Sequence, residues 1–190
     1  MTQIPYGSVV SWKVPPKNNS FLIKIFGYLQ FLFTDGKETH SSIIMSRYPE
    51  VDAYYEYELS VTARINVFHP NKNATVFEIL APLELKIGSL SYLIKKTYGD
   101  IYALWQTPMF AVRKLVELLG FDGRRLWNPF SWLGICGEGV YEYLYRIAIE
   151  ESWVDLMEYM NEWNPDLFNS HDTRLVLDYM VSKNYGKVIE

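Results

Sequence analysis

One cysteine occurs in the 190 residues, Cys136, so no internal disulfide can form and the fold does not depend on an oxidising compartment. Histidine is also scarce, at three positions, and there is no His-Glu-x-x-His pattern or cysteine pair, so a metal site has no support in the sequence. Gly134, Gly137 and Gly139 lack the spacing of a dinucleotide fingerprint and no phosphate-binding loop occurs, so no cofactor is expected. A basic surplus is missing too: 18 Lys and Arg stand against 22 Asp and Glu, for a net charge of -4. That balance offers no general attraction to a phosphate backbone, and a nucleic-acid partner is not expected. Long apolar runs are absent. The most apolar stretch, Phe21–Phe33, covers 13 residues and contains Lys24 and Gln30, too short and too interrupted to cross a bilayer. It reads as a buried helix, with a lipid-facing helix as the alternative. The opening Met1–Gly7 has neither the basic nor the apolar region of a signal peptide. The expectation is a chain made and kept in the cytosol, or released by lysis or packaged in a virion.

What is present is core material: 49% of residues are hydrophobic and 16% aromatic, ample for one domain spanning residues 1–190. Strand patterns come first and helical patterns later, which predicts an α+β fold, a small antiparallel sheet or half-barrel packed against helices. Strands are expected at Gly7–Val14, at Ser41–Met45, as one long run over Ala53–Phe68, and at Ala74–Leu80. A short helix is expected over Ser89–Lys96. A second begins at Thr107-Pro108 and is stopped by Gly120. Residues Phe121 to Ser131 read as a loop. Helices follow at Cys136–Glu150, Ser152–Trp163 and Ser170–Lys183, with a turn at Asn164–Phe168.

Cys136 opens its helix after a glycine-rich turn. The N-H groups and partial positive charge of a helix N-terminus favour thiolate over thiol, which makes this residue the candidate nucleophile. Gly137 and Gly139 each weaken a helix by about 1 kcal/mol relative to alanine, and their missing side chains are expected to leave room beside the sulfur. A thiolate nucleophile needs a base and a group that orients the base. His40, delivered by a turn to the start of an apolar strand, is the best-held histidine. His69, before Pro70, is expected in solvent, and His171, in the first turn of the last helix, reads as a surface residue.

The order of these pieces resembles the circularly permuted papain-like, NlpC/P60-related cysteine hydrolases of the YiiX/YebB type. The matching segments are Tyr6–Val10, Thr39–Ile44, Tyr55–Glu58, Cys136–Tyr141 and Asn164–Ser170. Two departures stand out: Ser8 occupies the place of the usual Asp, and Gly137 that of the usual Ser. The resemblance implies a permuted papain-like fold in which Cys136 attacks a carbonyl with His40 as base and passes through an acyl-enzyme. Glu56 best matches the acidic orienter. Glu58, two residues on and on the same strand face, and Glu78, on the next strand, are its rivals. The expected activity is hydrolysis of an amide bond, as in a cell-wall peptide. Two alternatives remain: the same dyad acting on a lipid or other acyl ester, and a retired domain serving as a structural or interaction module, for instance in a phage particle.

Overall fold

Six strands pair in the order β4-β3-β2-β1-β5-β6, every neighbouring pair antiparallel, in a computed structural model of the chain. It describes residues 3–13, 38, 40–47, 53–59, 63–70, 72–98, 107–127 and 136–189, with 59, 107, 108 and 136 described by their backbone alone. The strands are β1 (Val9–Trp12), β2 (His40–Arg47), β3 (Tyr54–Leu59), β4 (Ala63–Phe68), β5 (Ala74–Ile79) and β6 (Gly186–Ile189). Among the described residues, five α-helices follow β5: α1 (Leu83–Thr97), α2 (Thr107–Leu118), α3 (Cys136–Glu150), α4 (Val154–Met160) and α5 (Ser170–Ser182). Short 3-10 turns lie at Gly123–Arg125 and Pro165–Leu167. The α+β class with an antiparallel sheet agrees with the sequence. The helix expected over Phe21–Phe33 lies outside the described residues.

Strand alternation sorts the core into two layers. Val9, Ile43, Tyr57 and Phe77 face the helices and join Val140, Tyr143, Leu144 and Ile147 of α3 in the larger cluster. Val10, Trp12, Ile44, Tyr54, Phe68 and Val76 form a second cluster on the opposite face. There Trp12 meets Phe68 edge-on at 5.2 Å between ring centroids, and the Ile4 amide donates to Tyr54 Oη. Both faces of β1 are therefore buried, which explains why Val9-Val10 reads as continuous apolar sequence. The α3 apolar positions at 140, 144 and 147 fall on one stripe, and Tyr143 Oη donates to the carbonyl of Gly7 at 2.9 Å. Gly7 turns the chain into β1 at φ +75°, in the left-handed region that favours glycine.

Three elements differ from the sequence expectation. The long strand over Ala53–Phe68 is two strands, β3 and β4, paired from Tyr54 with Phe68 to Leu59 with Ala63. A continuous strand of that length would far exceed the usual span of about 3–10 residues, and folding it back pairs its backbone with itself. The helix expected over Ser89–Lys96 begins earlier, at Leu83, because its first turns invert the usual pattern. Leu83 and Ile87 are exposed, whereas Lys86 is buried and its Nζ donates to the carbonyl of Ile79. The last strand, β6, was not foreseen. It is four residues long and pairs Gly186 with Ile79 and Lys187 with Glu78.

Candidate functional site

His40 is the first residue of β2, and its register neighbour on β1 is Trp12. Its Nε2 lies 3.2 Å from Glu58 Oε2, and the Glu58 side chain is almost fully buried. The other carboxylate oxygen, Oε1, accepts from Arg64 Nε at 2.9 Å and from Asn66 Nδ2 at 3.2 Å, both on β4. Burial alone would raise the Glu58 carboxyl. The hydrogen bond and charge of His40, then those of Arg64, overcome that and hold it down at about 2. Glu58 is thus a charged, multiply held acceptor that fixes the ring of His40.

Glu56 is on the same face two residues earlier, as the sequence predicts, but its partner is different. Ser42 Oγ donates to Glu56 Oε2 at 2.5 Å. Burial pushes the Glu56 carboxyl up to about 7; the Ser42 hydrogen bond and His40 pull against this, while the Glu58 charge adds to it. Of the two glutamates it is Glu58, not Glu56, that meets His40. The reason is register. Ser42 stands opposite Glu58 and Ile44 opposite Glu56, so Glu58 lies nearer the strand end that carries His40. Glu78 is farther off: it lies on β5 and pairs with Lys187 of β6 at 3.0 Å.

The first turn of α3 and Glu38, two positions before β2, meet on the same short segment, Phe168–His171. A side chain at Gly137 would drive its Cβ into the Phe168 carbonyl oxygen, 2.7 Å from the Phe168 carbonyl carbon and 2.8 Å from that of Asn169. The absent side chain therefore admits the backbone leading into α5. Three residues on, His171 Nδ1 lies 3.6 Å from Glu38 Oε2, two positions before His40. Glu38 is buried, and the neighbouring His171 imidazole holds its carboxyl below the usual range. His171, read from sequence as a surface residue, is partly buried in this contact. His69 is exposed, as expected.

A capping box fixes that segment. Asn169 Oδ1 accepts from the amides of His171 and Asp172, and Asp172 Oδ2 accepts from the Asn169 amide at 3.0 Å. Asp172 also accepts from Arg113 Nη1 at 2.6 Å, Arg113 Nη2 at 2.9 Å and Trp163 Nε1 at 3.2 Å, which ties α2 to α5. The Asn-x-x-Asp spacing was the signal in the sequence that could have found this anchor. Beside it, a cleft of about 570 Å³ opens between α2, the Gly123 turn and α5, with Arg113, Arg124, Trp163, Asn169 and His171 in its walls.

Ser11 and Ser41 are opposite one another in register on the helix-facing side of the sheet, both buried, and neither hydroxyl has a partner among the described residues. Among the described residues no group of three His, Cys, Asp or Glu is placed to hold a metal ion, and no helix is long and apolar enough to cross a membrane. Compared with family models, with curated proteins and with solved structures, the chain matches none.

Proposed function

We propose that this chain is a cysteine hydrolase acting on an amide bond, with Cys136 as nucleophile, His40 as general base and Glu58 as the group that orients His40. The observation that carries this reading is the His40–Glu58 pair at the start of β2, with the first turn of α3 and Glu38 both seated on Phe168–His171. With Nε2–H donated to the buried carboxylate, the basic lone pair is on Nδ1, and the imidazolium formed after proton transfer is stabilised by Glu58. Cys136 is the first residue of α3, where the helix N-terminus favours a thiolate. Its backbone N-H would contribute to an oxyanion hole for the tetrahedral intermediate. Collapse of that intermediate expels the amine, which takes the proton from His40, and water then releases the acyl group. Gly137, where the permuted papain-like family has serine, is accounted for by the Phe168 carbonyl and takes no catalytic group away.

A second reading, a retired domain with a structural or binding role, is favoured by one observation. Alternation places His40 on the face of Ser42 and Glu58, whereas α3 packs on the face of Ile43 and Tyr57. The rate of Cys136 alkylation against pH separates the two readings. A coupled dyad gives a thiol pKa well below about 8.5 that rises in His40→Ala and in Glu58→Gln. An ordinary titration in all three proteins rejects the hydrolase.

A further inference from the structure

We propose that the outer face of α2 is the contact surface for a second copy of this chain, in a twofold dimer. Val112, Leu115 and Leu118 recur along one side of the helix, and Leu119 and Phe121 extend the stripe into the turn that follows. Their exposures are 43%, 57%, 73%, 66% and 69%. Taking about 200 Å² for a fully exposed large apolar side chain, the five present roughly 600 Å² of apolar surface. That is the upper end of the roughly 300–600 Å² reached by the largest apolar patch of a typical soluble monomer, and patches of that size are often functional. A standard interface takes about 800 Å² from each partner, so this stripe with its immediate rim is the right size for half of one.

The stripe is also self-complementary. It is centred next to Leu115, so two α2 helices laid antiparallel about a twofold axis there bring Val112 of one copy against Leu118 and Leu119 of the other. That is the isologous arrangement most homodimers use. Charge argues against an anionic lipid surface as the occupant. The flanking Arg113 is paired with Glu117 and Asp172, Arg124 is paired with Asp122 and Glu162, and the chain carries a net charge of -4. Gly120 and Phe121 also border the cleft that contains His171, so the second copy would stand at its mouth. The proposal does not depend on the hydrolase reading.

Sedimentation equilibrium of the full chain across micromolar concentrations tests it. A reversible dimer is expected, with Leu115→Glu and Leu118→Glu monomeric throughout and Ile149→Glu, at an exposed site on α3, still dimeric. The substituted side chains are exposed, and unchanged unfolding midpoints verify that each variant folds. A native chain that stays monomeric, or a dimer that persists in both leucine variants, overturns the proposal. Flotation with vesicles of phosphatidylcholine and phosphatidylglycerol supplies the other outcome. A native monomer carried by the vesicles and released by Leu118→Glu assigns the stripe to a lipid surface, and the second copy is rejected.

Discussion

Replacing Gly137 with alanine sets two well-known effects against each other. In an open helix the exchange stabilises by up to about 1 kcal/mol, because glycine has more backbone entropy to lose. At this position the new Cβ would stand 2.7 Å from the Phe168 carbonyl carbon, about 0.7 Å inside the 3.4 Å at which ordinary contact begins. The obstacle is backbone, held by the Asn169 capping box, so it cannot swing away as a flexible side chain would. Overpacking of this kind costs about 1–3 kcal/mol, and a rigid neighbour puts the cost at the upper end. The expected net loss is about 1–2 kcal/mol, or a Tm lowered by roughly 2–8 °C for a chain of this size. Gly88 on α1 is the internal control. Nothing lies within 4 Å of a Cβ there, so Gly88→Ala should gain as much as about 1 kcal/mol. Thermal and urea unfolding of both variants gives the answer. A Gly137→Ala protein as stable as the native chain, alongside the expected gain at Gly88, would refute the close approach of α3 to the start of α5.

The two buried glutamates should bend the stability profile in opposite directions. Glu56, raised to about 7 by burial, keeps a proton in the folded chain that the unfolded chain has lost above about 4.5; its contribution is full below about 4.5 and disappears as pH rises through 7. Urea midpoints across pH 4–8 should therefore fall by the equivalent of a few kcal/mol in the native protein and flatten in Glu56→Gln. Glu58, held down at about 2 by His40 and Arg64 against its burial, contributes fully above about 4.5 and is lost as pH falls toward 2. Glu58→Gln should remove that acid limb and destabilise the protein at neutral pH. Asp172→Ala leaves the nearly buried Arg113 guanidinium without its main partner and should cost about 3–5 kcal/mol in equilibrium unfolding. A loss below about 1 kcal/mol would show that water replaces the carboxylate there.

The sheet was legible in the sequence where strand composition was bounded by turns, as in β1, β2 and β5. The Cys136 helix was legible from its apolar spacing. What local reading missed depended on pairing. The break of Ala53–Phe68 into β3 and β4 is set by register between distant backbone groups, and the early start of α1 is hidden because Lys86 is buried while Leu83 and Ile87 are exposed. In the candidate site, the type of group was readable and its address was not. Two glutamates on one face of a strand could both be proposed, but only cross-strand register decides that Glu58 meets His40 and Glu56 meets Ser42. His171 and Glu38 were not recognisable as neighbours, since 133 positions separate them and a capped helix start brings them together.

The hydrogen bond from Tyr143 to the Gly7 carbonyl joins residues 136 positions apart, and β1 lies between β2 and β5 in the middle of the sheet. A ribosome must therefore synthesise more than 130 residues after β1 before that strand has its helix to pack against. Until then Val9 remains apolar surface on an unfinished sheet, available to any exposed strand edge nearby. Contacts of such long range close slowly. The segment most vulnerable to aggregation during synthesis is consequently the one most completely buried when folding ends.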